Sequence, residues 1–553
     1  MAFYLLLAAA LLPPVNRFLA SAATFAGRVA SAAAAKRWRL ALFALISVGA
    51  AFAFRALQVK YLFLGDVGVR PAQIEQGEII SNEYLSMYLL IRLYGYLHAA
   101  WGYTGLQTIR LVAYVSGGLF IFVSLLTADA LGKTFLKKLA CFAASTLSLA
   151  AMVQFCGYVE VYTLALLCLQ LYLYVCVLHV QGKISVILPV VALAVSIGIH
   201  LLLVCMAPSL LFLLYRSLLW KYPLFRKRST LAGLGVAAAP FAYYFVAHIA
   251  SREMLPLAAG ERNLLTMFSV AHYKEFANQL LLGGGFVVMV WVAALLFCAV
   301  NKVKLAALHW FYVIASLSVT GLMFVFNSLR GSGDWDIHSF TAVVNNALAA
   351  ILLLTLHEQK LVRNIKYGVC VVTIFALLHT SLWVATNASD KSIGWVEKAF
   401  EKDPANYYRG SFSNESMLGA IFSSNNLKEK SLYWEQKAYL RHPDDPRTGF
   451  NYAGILVKEG QLDEAVKIYE ASVRKFPTYA LPYMQLVDIY LKRQSYEALY
   501  RLLAKMEATY RQQPAAFTSR LTQEQLDSCF DLLRQLEPSF RQLRSLPPAT
   551  GAT

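Results

Sequence analysis

Long apolar runs separated by short basic connections dominate the first 386 residues, and amphipathic helical spacing dominates the rest. A helix needs about 20 mostly apolar residues to cross about 30 Å of hydrocarbon. By that measure candidate spans lie near residues 40–58, 108–128, 139–156, 161–179, 184–204, 231–250, 281–300, 305–326, 341–356 and 367–386. A shorter run, Pro208 to Trp220, completes another span with its neighbours, and residues 1–35 hold one or two more, for about 11–13 in all. Ala20, Ser21 and Ala22 mimic a signal cleavage site, but no positive segment precedes the apolar start, so it is read as retained.

Between the spans, charge sorts by side. Lys36, Arg37 and Arg39 precede the first clear span; Lys133, Lys137 and Lys138 follow the second; Lys221, Arg226, Lys227 and Arg228, then Lys302 and Lys304, then Lys360, Arg363 and Lys366 mark later connections. If these face the cytoplasm, the remaining connections face outward. The alternation closes only if residues 184–220 cross twice. Asp66, Glu160, Arg252, Asp334, Asp336 and the tail then share the outer side, with the loop at 59–107 extracytoplasmic. A bacterial inner membrane is the expected location.

After Trp383 the pattern becomes that of soluble helices. Residues 447–480 and 481–514 form two blocks of equal length, and His442-Pro443 and Phe476-Pro477 close successive helix pairs. The run Gly460, Gln461, Leu462, Asp463, Glu464, Ala465, Ile468 and Tyr469 has the turn glycine, small alanine and large apolar positions of a tetratricopeptide repeat. Such repeats stack as helix hairpins. About three are expected, the first near Ser413 to Pro446, followed by a capping helix at Gln523 to Leu536. The expected fold is all-α: a polytopic membrane domain at 1–386, a repeat domain at 387–540 and a disordered tail at 541–553.

Composition narrows the classes. The chain of 553 residues is 58% hydrophobic and carries a formal charge of +18. Residues 387–553 are close to neutral, so the excess sits on the short membrane connections and nucleic-acid binding is excluded. Of eight cysteines, seven fall in or beside apolar runs and Cys529 stands alone in the tail, with no metal-binding or disulfide spacing.

The candidate chemistry lies on the outer side. Asp66 follows Gly65 just past the first clear span, in a loop that also holds Glu75, Glu78 and Glu83. Glu160 interrupts what would otherwise be one apolar run, and a charge there is costly unless it meets water, a partner or a cavity. Its alternative reading is a turn residue at the interface. Arg330 precedes Gly333, Asp334, Trp335 and Asp336 in a short glycine-rich loop. Its planar fork suits phosphate oxygens, and Trp335 either stacks on a sugar or joins the interfacial aromatic belt. His200, in an apolar run, either bonds a neighbouring helix or serves a site. Arg252 is a further phosphate candidate. Glu75 and Glu78 are read as surface charges, and Glu83 to Trp101 as a helix lying in the interface plane.

Taken together, these motifs resemble the GT-C superfamily of polyprenyl-phosphate-sugar-dependent glycosyltransferases, which includes the protein O-mannosyltransferases and aminoarabinose transferases. Gly65-Asp66 matches the aspartate that opens the first outer loop in that group, and Glu160 the acidic residue two spans later. Glu83-Tyr84-Leu85, the run Gly157 to Tyr162, the His200 helix and Gly333-Asp334-Trp335-Asp336 are similar to elements of bacterial members with repeat tails. Asp66-Val67 replaces a paired acidic motif, which leaves the sugar and acceptor open. The resemblance implies transfer of a sugar from a polyprenyl-phosphate donor to a hydroxyl, with Asp66 as general base and Glu160 positioning the acceptor or, with Asp66, holding a divalent cation. It implies that Arg330 and Arg252 bind the leaving phosphate, and that the repeats bind a protein or peptide partner. The competing readings are an O-antigen ligase or polymerase type of enzyme and a non-enzymatic membrane-anchored scaffold.

Overall fold

The computed structural model describes residues 36–61, 69–146, 149–219, 269–284, 287–325, 339–362, 377–378, 380–402, 414–518 and 521–545. Asp66, Arg252, Arg330, Asp334, Trp335 and Asp336 lie outside these, as do the candidate span at 231–250 and much of that at 367–386. Among the described residues the chain is helical, with no strand, and it divides into two compact units, Met1–Gly410 and Ser411–Thr553.

The first unit contains α1 (Lys36–Ala56), α2 (Arg70–Gln76), α3 (Tyr84–Trp101), α4 (Gly105–Leu131), α5 (Phe135–Thr146), α6 (Leu149–Phe155), α7 (Tyr162–Val180), α8 (Ile187–Ile199), α9 (Ala207–Leu214), α10 (Val270–Gly284), α11 (Val287–Val300), α12 (Ala307–Val325), α13 (Ser339–Glu358) and α14 (Lys391–Lys402). Five of these, α1 from Trp38 onward, α4, α7, α12 and α13, are long and apolar enough to cross a membrane. The protein is an integral membrane protein.

Two expected spans are interrupted. The run at 139–156 divides into α5 and α6, and the Ser145 and Thr146 hydroxyls at the end of α5 donate back to the Cys141 and Phe142 carbonyls (2.9 and 2.7 Å). Such back-bonding competes with the helix ladder and bends it. The run at 184–204 ends at His200, whose backbone is extended (φ −154°, ψ 122°). The chain then returns through a 3₁₀ turn, Leu201–Met206, and α9 to Ser217, whose hydroxyl meets His179 Nε2 at 2.8 Å. Residues 187–217 therefore run out and back.

Side-chain contacts sort the bundle into two ends. At one, Arg39 and Lys138 both pair with Asp129, Lys137 pairs with Glu358, and His309 Nε2 meets Thr355 Oγ1 at 2.7 Å. This end collects the basic connections. At the other, the Val59 amide donates to the Cys156 carbonyl (2.8 Å), the Lys60 amide to the Asn387 carbonyl (2.9 Å), and Lys60 pairs with Asp390 (2.8 Å). α4 carries the closest packing: a Cβ on Gly117 would stand 2.7 Å from Phe155 and Phe54, and Ser47 donates to the Gly118 carbonyl across 2.5 Å. Small residues let membrane helices approach in this way. Asn345 on α13 donates to Thr320 Oγ1 on α12 (3.1 Å), a hydrogen bond between the two helices.

The second unit is a stack of helix hairpins: α15 (Asn414–Ser424) with α16 (Lys428–Arg441), α17 (Pro446–Lys458) with α18 (Leu462–Lys475), and α19 (Leu481–Lys492) with α20 (Tyr496–Gln512). After α21 (Pro514–Thr518), α22 (Gln523–Ser545) closes the stack. Each hairpin turns through one left-handed residue, Asn426 (φ 58°), Gly460 (φ 77°) and Gln494 (φ 54°), spaced one 34-residue period apart. The core repeats with the same period: Ser431, Ala465 and Leu499 are equivalent and buried, as are Trp434, Ile468 and Leu502. α22 extends past the expected Leu536, so residues 541–545, read as the start of a disordered tail, are helical; Phe540 stacks on Tyr500 (5.0 Å) and holds the extension down.

Candidate functional site

α2 begins with Pro71 in its first turn and ends at Gly77 (φ 76°), the usual helix punctuation. This one-turn-plus helix buries Arg70 and Ile74 on a single face. The chain then reaches a 3₁₀ turn, Ser81–Glu83, which delivers Glu83 inward at the head of α3. Glu75, read as a surface charge, is exposed, and it also accepts a hydrogen bond from the Gly105 amide (2.7 Å) at the start of α4, where a carboxylate complements the helix dipole.

Four ionisable side chains from three distant segments meet beneath this loop. Arg70 Nη2 lies 2.9 Å from both Glu83 oxygens, and its Nε lies 3.9 Å from Glu160 Oε2. His200 Nε2 lies 3.6 Å from Glu83 Oε1. Arg70, Glu83, Glu160 and His200 are each at most 6% exposed. Tyr162 packs its ring 5.0 Å from His200, and Phe340 closes the same side at 6.0 Å from Tyr162. Ser86 pins α3 to the end of α8 by donating to the Ile199 carbonyl (2.7 Å).

The His200 ring is oriented by its own turn. The Leu202 amide donates to Nδ1 (3.2 Å), so in the neutral imidazole the proton sits on Nε2 and points at Glu83. At 3.6 Å that separation is longer than a hydrogen bond, so His200 Nε2 faces Glu83 as a close polar neighbour.

Glu160 is placed by the turn before it. Gly157 is left-handed (φ 76°), and a Cβ there would meet the Tyr114 hydroxyl at 2.8 Å. Tyr114 in turn donates to Gln58 Oε1 (2.9 Å). Gly157→Ala is expected to cost about 1–3 kcal/mol in backbone strain and to displace Glu160; a fall in the unfolding temperature in detergent checks it, and an unchanged temperature would count against a strained turn.

Of the residues singled out in the sequence, Glu83, Glu160 and His200 come together. Asp66, Arg252, Arg330, Asp334, Trp335 and Asp336 are outside the described residues. Arg70 was missed. Its signal was the Pro71 to Gly77 punctuation, which makes it the first residue of a helix rather than a solvated loop charge. Among the described residues no group of three His, Cys, Asp or Glu side chains is arranged to hold a metal ion.

No family model matches the chain, and no curated protein matches it. Among solved structures it is similar to ArnT from Cupriavidus metallidurans in the apo state, at 13% identity over 65% of this chain and 79% of that one. The TM-score of that match is 0.38.

Proposed function

We propose that this protein is a membrane glycosyltransferase of the GT-C type, which moves a sugar from a polyprenyl-phosphate carrier to a hydroxyl at the extracytoplasmic face. The observation that carries the reading is the buried meeting of Arg70, Glu83, Glu160 and His200 at one end of a membrane bundle. Buried ion pairs seldom add net stability, and ionisable groups kept at such a place mark a site. A scaffold that only anchors a tail has no use for them.

Asp66 stands four residues before Arg70, and the stretch holding Arg330, Asp334, Trp335 and Asp336 lies between α12 and α13. Phe324 and Ser339, which flank it, contact His272 and Gln154 at the same end of the bundle as Glu160. In the proposed reaction Asp66 takes the proton of the acceptor hydroxyl, and the acceptor oxygen bonds to the anomeric carbon as the carrier phosphate leaves. Arg330, with Arg252, stabilises the charge on that phosphate. Glu160, held by Arg70, positions the acceptor or, with Asp66, helps to hold a divalent cation. Donor, acceptor and the outward orientation all belong to this proposal. The hairpins of the second unit are read as tetratricopeptide-type repeats that bind a protein or peptide partner.

Purified protein supplied with polyprenyl-phosphate-linked sugars tests this. Asp66→Asn is expected to slow transfer by about 10²–10⁴-fold while a folded protein still binds the donor. Full activity in that variant would remove Asp66 from the base role. Native mass spectrometry showing no polyprenyl phosphate on the wild type would favour the scaffold.

A further inference from the structure

Arg55, in the last turn of α1, and Arg110, in the second turn of α4, stand at the end of the bundle away from the basic connections, where the charge bias that sorts membrane loops does not call for cations. Neither pairs with a carboxylate among the described residues. Arg110 Nε is buried without a hydrogen-bond partner, and its Nη2 reaches only the Val59 carbonyl, at 3.5 Å. Tyr114, one turn further along α4, donates to Gln58 Oε1 (2.9 Å), which leaves the Gln58 NH2 group as a spare donor. Both guanidinium charges act on the Tyr114 hydroxyl, so Arg55, Gln58 and Arg110 share one neighbourhood.

Along the helices from these donors the surface is apolar. α1 packs chiefly on α4, the pair running antiparallel with Arg39 against Asp129 at one end and Val59 against Arg110 at the other. In such a pair the residue after each contact position falls on the same side of both right-handed helices. Val48, Phe52 and Arg55 follow the contact residues Ser47, Ala51 and Phe54 of α1, and Val115 and Leu119 follow Tyr114 and Gly118 of α4. All five of these following residues are exposed. Unpaired guanidinium forks at the head of an apolar strip are complementary to a phosphate joined to a hydrocarbon chain.

We propose that this end of the α1–α4 seam binds one anionic phospholipid of the surrounding bilayer, with Arg55, Arg110 and Gln58 on its phosphate and an acyl chain along Val48, Phe52 and Val115. A bilayer lipid fits the seam better than the carrier of the proposed reaction, because α1 contributes no side chain to the cluster of Arg70, Glu83, Glu160 and His200. The site is independent of sugar transfer.

Delipidated full-length protein in detergent, titrated with dioleoyl phosphatidylglycerol and followed by native mass spectrometry, is expected to take up one lipid saturably. Phosphatidylcholine, whose choline offsets the phosphate charge, should bind more weakly. Arg55→Gln and Arg110→Gln should each weaken phosphatidylglycerol uptake about tenfold. Arg55→Lys should lose less, since the charge survives without the fork, and Arg92→Gln, exposed on α3, should leave uptake unchanged. The lipid should also raise the unfolding temperature of the wild type and not that of Arg55→Gln. Arg55 is exposed, so its variants report on the site even if Arg110→Gln does not fold. No saturable first lipid, wild-type uptake by Arg55→Gln, or an equal loss in Arg92→Gln overturns the site. Uptake of polyprenyl phosphate in preference to phosphatidylglycerol, lost in the same variants, would overturn the phospholipid and give the seam to the carrier.

Discussion

Arg70→Met is expected to abolish the proposed sugar transfer, a loss of at least about 100-fold of the kind that misplaced catalytic groups produce, and to destabilise the membrane unit by about 3–5 kcal/mol. The reason is the arithmetic of the cluster. One guanidinium lies against Glu83 at 2.9 Å and Glu160 at 3.9 Å, all three nearly excluded from solvent. Removing it leaves two buried carboxylates without the cation they share. Arg70→Lys restores charge but not the planar fork that meets both acids at once, so it should recover most of the stability and little of the activity. Heat unfolding in detergent and transfer from a lipid-linked donor read the two effects separately. A double substitution, Arg70→Met with Glu83→Gln, should cost less stability than the sum of its parts, because the second change removes a charge the first had stranded. If Arg70→Met melts and turns over like the wild type, the cluster is neither a structural pivot nor part of the site.

How much of this was legible depended on contrast with the neighbouring sequence. Glu160 was visible because it is the one charge in a long apolar run, and His200 for the same reason. Arg70 lies in a loop already rich in charged and polar residues, where an arginine looks solvated; only its place at the head of a proline-initiated turn distinguishes it. The five long spans followed from hydropathy and the double crossing of 184–220 from the alternation of basic connections, whereas the place of the reversal, at His200, did not. Leu201 to Val204 are as apolar as Ile197 to Ile199, so composition carries no mark of a break made by one side chain accepting its own turn's amide. In the second unit Gly460 announced a hairpin. Asn426 and Gln494, one period before and after, adopt the same left-handed backbone without the residue that would have revealed it. The 34-residue spacing of the prolines was therefore a better guide to that unit than its turns.

Glu435 offers the second large effect, on the pH dependence of the first hairpin of that unit. Its equivalents one and two periods on are Tyr469 and Leu503, both buried core residues, so a carboxyl occupies a position that its neighbours fill with large apolar groups. Gly419 makes the room: a Cβ there would stand 2.4 Å from Glu435 Cγ. Burial pushes the Glu435 carboxyl up to about 8, opposed in part by the hydrogen bond that Ser416 donates to it at 2.9 Å. Below the ordinary glutamate range, near 4.5, folded and unfolded chains both hold the proton and the hairpin keeps its full stability. As pH rises from there, the unfolded chain releases the proton while the folded one retains it, so stability falls until about pH 8 and then levels. The loss across that window is on the order of 5 kcal/mol. Glu415 acts in the opposite sense. Its own burial is outweighed by a backbone hydrogen bond and by Arg441 (2.8 Å) and His442, which hold it below its ordinary value, so its contribution disappears only in acid, as pH falls through that lowered value. The hairpin should accordingly be most stable near pH 4.5–5. Hydrogen exchange in peptides covering residues 414–441 of the full-length protein, corrected for intrinsic rates, would show protection decreasing from pH 5 to 8. Glu435→Gln should flatten that profile and raise protection at pH 7.5, since an amide fills the same space without a proton to lose. Parallel profiles for wild type and Glu435→Gln would mean that the carboxyl ionises without penalty and that the position is less enclosed than its equivalents at Tyr469 and Leu503.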